Sequence, residues 1–530
     1  MEFKYGGSET NQKTVLGHPS GLFVLFFTEM WERFSYYGMR ALLVLFLVAS
    51  ITDEGGWGWE RADATLLYGW YIGLVYLTPV LGGIIADKIM GYRNAVILGA
   101  LIMTLGHASM ALEVFVDLFF YVGLTLLILG NGLFKPNISS MVGQLYKDQG
   151  KEKDAGYTIF YMGINAGAFL GILLCGYIGE SVGWHYGFGL AGVFMFFGML
   201  QFYFAQKIFG KIGLSPKNAE DFDDAIEDSL EETKEAIQDT VEEAENSAVV
   251  KDRLMVIGIF ALFTVFFWWA FEQAGSSMTI FAADYTDRAL DGSAATTFNI
   301  VNTIITVVPL LVITYVLFLL FKQTFKKYAL SNIWLGLSFA IIWAIVIWML
   351  VREFSSDATE VKASWFSVLN SLFIIIFAPF FSKLWKTKFN PTGPIKFAIG
   401  LVLLGLGFAF LAYGSMAIPD GAKTASVSMI WLILAFLFHT LGELCISPVG
   451  LSYVSKLAPV RLVGLMFGVW FISNFLAGVI GGWTASYIDP ISEEYGLSTF
   501  FLIFTLIPVA AGIVLVVLNK TLLRKMHGIR

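Results

Sequence analysis

Seven charged residues stand where a membrane tolerates charge only for a reason. Glu29, Glu32, Arg33 and Arg40 fall in the apolar run 21–50. Lys135, Glu272 and Glu443 fall in the runs 117–143, 252–283 and 427–454. Positions 29, 33, 36 and 40 are spaced by four, three and four, so they share one helical face, with Glu32 beside it. A lone charge at mid-membrane costs about 2.5–3.5 kcal/mol. Such a set is sustainable only if its members face a polar cavity or one another. Acids near bases in a low-dielectric cavity have two accessible charge states: protonating a Glu releases its basic partner, and deprotonating it restores the pair. That is the chemistry of proton-coupled transport. The chain has no HExxH, no P-loop and no nucleophile–base set, which argues against an enzyme and against ATP-driven transport by this chain. Its five His form no metal-ligand pattern. Cys175 and Cys445 both lie in apolar runs and read as small core residues. No cofactor is expected, and the proton gradient would be the energy source.

These charges must be positioned by helices. The chain has 530 residues, of which 57% are hydrophobic and only 14% charged, with a mean hydropathy of +0.71. A soluble domain carries about 25% charged residues. The composition excludes a soluble enzyme, a nucleic-acid binder and a disordered scaffold, and leaves a polytopic protein embedded in a lipid bilayer. Apolar runs fall near 21–50, 64–86, 92–112, 117–143, 156–180 and 186–209. Eight more follow near 252–283, 296–321, 332–352, 361–385, 395–415, 427–454, 461–487 and 498–524. The first run is too long for the core of a cleavable leader. Lys and Arg cluster after every even-numbered run, as at Lys88 and Arg93, Lys322 to Lys327 and Lys383 to Lys396. The positive-inside rule therefore places both termini and the central linker in the cytoplasm. The net charge of −7 is misleading, because 219–248 holds 13 acids and one Lys, leaving the rest of the chain at +5. Ile226, Leu230, Ile237 and Val241 fall at helical spacing in this linker, which reads as a solvated tether.

The two halves repeat. Phe271-Glu272-Gln273 echoes Trp31-Glu32-Arg33 at an offset of 240 residues, and Ala378-Pro379 echoes Thr78-Pro79 at 300. Ser447-Pro448 echoes Lys135-Pro136 at 312, and Trp470 and Asn474 echo Tyr161 and Asn165 at 309. One inserted hairpin, 295–352, explains the jump of 60. The expected fold is all-α and polytopic: the major facilitator fold of two six-helix bundles, plus an extra helical hairpin, 14 transmembrane helices in all. Its blocks are a cytoplasmic tail (1–20), a six-helix bundle (21–209), an acidic linker (210–251), the seventh helix (252–285), the hairpin (295–352), five further helices (361–524) and a cytoplasmic tail (525–530).

Glu29-Met-Trp-Glu32-Arg33-Phe-Ser-Tyr36-Tyr37-Gly38 resembles the ExxERFxYYG signature of the proton-dependent oligopeptide transporter family. Gly82 to Arg93 is similar to the facilitator loop motif. Asn131-Gly-Leu-Phe-Lys135-Pro136-Asn137, Phe160-Tyr161-Met-Gly-Ile-Asn165-Ala-Gly167, Trp269-Ala-Phe-Glu272-Gln273, Leu369-Asn370 and Gly442-Glu443 resemble further family signatures. The resemblance implies a symporter importing di- and tripeptides by alternating access, driven by protons, in the plasma (inner) membrane, and functional as a monomer. It implies that Arg33 and Lys135 hold the peptide carboxylate, and that Glu443 with Asn165 and Asn370 holds the amino terminus. It also implies that Tyr36, Tyr37, Tyr76, Trp269 and Trp470 line the pocket, that Glu29, Glu32 and Glu272 carry protons, and that Arg40 pairs with Glu272. A peptide zwitterion needs a cation and an anion at opposite ends of a cavity with adaptable aromatic walls, which agrees with this set. The hairpin departs from the bacterial pattern by following the seventh span. The short loop 416–426 lacks the large domain of animal members and favours a microbial source. A same-fold importer of nitrate or another small anion is the nearest alternative, and a buried Glu443 argues against it. A passive channel would need a repeated filter loop, which the sequence lacks. His439, one turn before Glu443, reads as a packed neutral histidine.

Overall fold

The computed structural model describes residues 3–52, 55–147, 150–215, 247–459 and 462–529. Among them, fourteen long helices carry the chain. They are α1 Ser20–Val48, α2 Arg61–Ile85, α3 Gly91–Ala111, α4 Leu118–Gln144, α5 Lys151–Ser181, α6 Trp184–Ala205 and α7 Ser247–Phe271. After them come α8 Gly292–Thr324, α9 Ala329–Phe354, α10 Val368–Leu384, α11 Gly393–Gly414, α12 Ile430–Leu457, α13 Val463–Ala485 and α14 Leu497–Lys525. Among the described residues, twelve segments are long and apolar enough to cross a membrane, and one of them, Arg61–Ala111, contains both α2 and α3. Helix α1 falls outside that twelve because its charged residues lower its apolarity. Residues 216–246 of the acidic linker lie outside the described residues, and 247–251 already belong to α7.

The helices gather into two compact units. The first comprises 1–58, 78–219 and 288–371, and the second 59–77, 220–287 and 372–530. Helix α2 contributes residues up to Leu77 to the second unit and residues from Thr78 to the first. Its Pro79, and Pro379 at the matching place in α10, both lie inside helices.

Close packing in the first unit depends on small residues. Gly163, Gly167, Gly171, Cys175 and Gly179 recur every fourth residue on α5 and meet α1 or α6. A Cβ at Gly167 would lie 2.9 Å from Cβ of Arg33, and one at Gly38 would lie 2.7 Å from Sγ of Cys175. Such seams let two helix backbones approach within a bilayer. Gly167→Val is expected to push α1 away from α5 and lower the thermal stability of the purified protein, since overpacking costs about 1–3 kcal/mol. Gly258→Val, where an added Cβ meets nothing, should have a much smaller effect. Equal melting temperatures for the two variants would contradict the seam.

The hairpin α8–α9 belongs to the first unit. Phe339 packs edge-on against Phe27 and Trp31 of α1, and the Ser331 hydroxyl donates to the Gln201 carbonyl of α6 at 2.7 Å. Its outer ends are joined by a short antiparallel ladder in which Ala289 faces Glu360, and Arg288 pairs with Glu360 at 2.9 Å. The Glu180 carboxylate at the end of α5 accepts from the amides of Ala363 (2.8 Å) and Ser364 (3.0 Å). This carboxylate satisfies N–H groups at the start of the helical turn that leads into α10.

The segment before α1 is folded. Thr14–Val15 and His18–Pro19 pair across a two-residue turn in which Leu16 and Gly17 both take positive φ, of 49° and 83°, the backbone that tight hairpins require. Lys4 reaches Glu152 at 2.9 Å, and His18 Nδ1 meets the Tyr146 hydroxyl at 2.7 Å. The amides of Gly6 and Ser8 donate to the carbonyls of Leu145 and Ile208. The segment therefore straps the ends of α4, α5 and α6. Burial lowers the pKa of His18, which favours its neutral ring.

In the second unit α11 packs between α12 and α14, again through glycine. A Cβ on Gly442 would lie 2.7 Å from the Gly400 carbonyl, and one on Gly405 2.7 Å from the Thr505 carbonyl. The first part of α2 meets α13 at Gly69 and Gly482, where a Cβ on either would lie 2.6 Å from the other's Cα.

Candidate functional site

The α1 face brings together the first unit's charges. Glu29, Glu32, Arg33 and Tyr36 are all buried, at 4% exposure or less. Nε of Arg33 lies 3.0 Å from Glu29 Oε1 and also forms an ion pair with Glu32 Oε2. From α4, Asn131 Nδ2 donates to Glu32 Oε1 at 3.1 Å. Lys135, one helical turn further along α4, acts electrostatically on both Glu29 and Glu32. Tyr36 and Tyr37 are set edge to face at 5.0 Å. The Arg33 guanidinium lies 5.4 Å from the Tyr36 ring, and that of Arg40 5.8 Å from the Tyr37 ring. Asn165 on α5 is buried, with its amide donating to the Tyr161 carbonyl at 3.0 Å. Among the described residues, Arg33 Nη2 and Glu29 Oε2 are buried without a hydrogen-bond partner. Buried polar groups are almost always paired, so this cluster holds open donor and acceptor valences in its interior.

The second unit holds the other candidates. Glu272 is buried just past the end of α7 and accepts from the Tyr68 hydroxyl of α2 at 3.3 Å. The neighbouring Gln273 donates to the Gly481 carbonyl of α13 at 3.0 Å, and Trp269 Nε1 donates to Thr484 Oγ1 at 3.0 Å. Trp269 also stacks near Phe504 at 4.7 Å. Tyr76 on α2 and Glu443 on α12 are half-buried, and Trp470 on α13 is buried. Trp470 lies against Gly450 of α12, where a Cβ would collide with its ring. His439 packs between Phe408 at 4.4 Å and Phe271 at 6.4 Å. Asn370 stands two residues into α10, with the first unit.

Three contributors escape a reading of charges alone. Asn131 is neutral, but it stands four residues before Lys135 and so shares its helical face. Tyr68 has no such signal. Arg61 opens α2 and is a hub: it meets Asp284 (2.5 Å), Asp489 (2.9 Å), the Tyr285 hydroxyl (2.9 Å) and the Lys423 carbonyl (2.8 Å). Lys423 extends the network to Glu493 at 3.1 Å. These acids are spread from position 284 to position 493, and only folding assembles them.

The model of the POT family matches residues 93–351 and 338–503. The chain is 34% identical to the transporter YclF of Bacillus subtilis (strain 168), over 98% of this chain and 97% of that one. It is 31% identical to a di-/tripeptide transporter of Lactococcus lactis subsp. cremoris, over 98% and 99% of the two chains. A crystal structure of a peptide transporter POT in complex with alafosfalin superposes with a TM-score of 0.74 at 30% identity, over 98% of each chain. With its apolar helices and its major facilitator fold, the chain is a multi-pass membrane protein, and it belongs to the POT family, the proton-dependent oligopeptide transporters.

Proposed function

We propose that the chain is a proton-coupled symporter that imports di- and tripeptides by alternating access. The observation that carries this reading is the buried Glu29–Arg33–Glu32 cluster with Nη2 of Arg33 left open. The two-pronged guanidinium suits a carboxylate, and two acids compete for it. Protonation of either acid weakens its hold on Arg33 and lets the base turn to a peptide carboxylate, with Lys135 beside it. Glu443, with Asn165 and Asn370, takes the peptide ammonium. Tyr36, Tyr37, Tyr76, Trp269 and Trp470 supply aromatic surface that tolerates varied side chains. Glu272 carries a further proton and pairs with Arg40 in one state of the cycle. One chain holds every one of these groups, so a monomer suffices. Relatives named as di- and tripeptide transporters support the substrate class. A small-anion importer has no use for Glu443.

The test is uptake of labelled dialanine into proteoliposomes with and without an inward proton gradient. Accumulation only with the gradient is expected. Uptake of nitrate but not dialanine would overturn the reading.

We place the protein in the plasma (inner) membrane with both termini in the cytoplasm, on the strength of the basic even-numbered loops. Lys326 and Asp420 are both exposed. A cysteine at Lys326 should be labelled only from inside, and one at Asp420 only from outside. The reverse pattern at either would refute this orientation.

A further inference from the structure

Asn131 offers two hydrogen-bonding groups to one place. Its Nδ2 donates to Glu32 Oε1 at 3.1 Å, while its own Oδ1 is buried with no hydrogen-bond partner among the described residues. Both side chains lie deep inside the first unit, Asn131 at 1% exposure and Glu32 at 0%. An ionised carboxylate only accepts hydrogen bonds, whereas a carboxylic acid has one O–H to donate. A lone buried donor would therefore serve one charge state of Glu32 and leave the other without a partner for its proton. A side-chain amide presents both kinds of group and exchanges them by turning about its last bond.

We propose that Asn131 is a positioning residue for proton coupling, its Nδ2 holding Glu32 as the carboxylate and its Oδ1 holding Glu32 as the carboxylic acid. This rests on the proton-coupled reading above and adds to it a residue that neither touches peptide nor titrates. The charged groups around Glu32 are Arg33 and Glu29 on its own helix and Lys135 on α4. Each of them changes its interaction with Glu32 when the proton arrives. Asn131 has a neutral group ready for either state. In the carboxylate state it shares Glu32 with Arg33. In the acid state it takes the O–H and keeps the side chain at its post after the ion pair with Arg33 has weakened. Glu32 then stays in register to be deprotonated again, and the cycle closes without the acid swinging into an unpaired site.

Hydrogen bonds to charged groups are roughly twice as strong as neutral ones, so losing Asn131 removes more from the carboxylate than from the acid. The test compares the wild type with Asn131→Leu, which has neither group, and Asn131→Thr, whose hydroxyl both donates and accepts. Gradient-driven dialanine uptake and dialanine exchange without a gradient are measured across external pH. In Asn131→Leu the alkaline limb of driven uptake should move up by about one pH unit, while exchange near neutral pH is retained. Asn131→Thr should return the limb toward the wild-type position. If Asn131→Leu does not insert, Asn131→Ala takes its place. Infrared titration of the purified protein provides a readout independent of transport. The protonated-carboxyl band that Glu32→Gln removes should persist to higher pH in the Leu or Ala variant. Unchanged pH profiles with a merely lower maximal rate would make Asn131 structural and overturn the inference. A wild type that moves dialanine without any proton dependence would overturn the symport reading itself, and the role of Asn131 with it.

Discussion

Glu32→Gln should abolish gradient-driven peptide accumulation, leaving uptake at the level of protein-free vesicles, while peptide exchange persists. The side chain keeps its size, and its amide oxygen can still accept from Asn131. What it loses is the proton. In the native protein Arg33 is shared between Glu29 at 3.0 Å and the adjoining Glu32. With Gln at 32, Glu29 remains as the only acid paired with that arginine among the described residues. In the proposed mechanism peptide can still meet the guanidinium, so exchange, which needs no net proton movement, should continue. Net accumulation needs a group that alternates between holding and releasing the base, and glutamine cannot do so. The measurement is paired driven uptake and exchange in the same vesicles. Normal concentrative uptake would remove Glu32 from the mechanism.

Glu443→Gln should weaken dipeptide binding by roughly 30-fold or more, because truncating one partner of a desolvated charge pair costs about 2–5 kcal/mol and 1.4 kcal/mol is tenfold. The side chain is half-buried in the middle of α12, and among the described residues no other long helix of the second unit carries an acid at its middle. The diagnostic comparison uses N-acetylated dipeptides, which carry no ammonium. They should bind the native protein poorly and lose little more in the variant. If free and acetylated peptides lose affinity in equal proportion, Glu443 serves the fold rather than the substrate.

The helices were legible because each must satisfy its backbone internally and fill a bilayer with apolar surface. Every apolar run named from the sequence became a helix, most with ends displaced by only a few residues; the run 252–283 leaves α7 at Phe271 and goes on in short helical turns, and the run 361–385 enters α10 at Val368 through another. The charged face of α1 was legible for the same reason: helical geometry alone puts Glu29, Arg33 and Tyr36 together. The partners that complete the site were not. Asn131 and Tyr68 are neutral residues whose roles arise from which helix lies opposite. The Arg61 hub draws on residues from four separate stretches of chain. The α5 glycines could be read as a period of four, but not as the reason α1 sits where it does. Residues 3–19 look like a polar tail because partners such as Leu145, Tyr146, Glu152 and Ile208 lie far along the sequence.

That distance bears on how the protein is made. Gly6 waits for Leu145, Lys4 for Glu152 and Ser8 for Ile208. A chain emerges from the ribosome amino end first, so residues 4–8 find their places only after six helices have been synthesised. The strap is translated before the helices it fastens, and it settles only after α6 has been made. Its closure marks the moment when the ends of α4, α5 and α6 have come together correctly. A tag fused directly to the amino end, or a trimmed start, would interfere with that late step, and the damage would surface as poor biogenesis in a molecule whose transport machinery is otherwise intact.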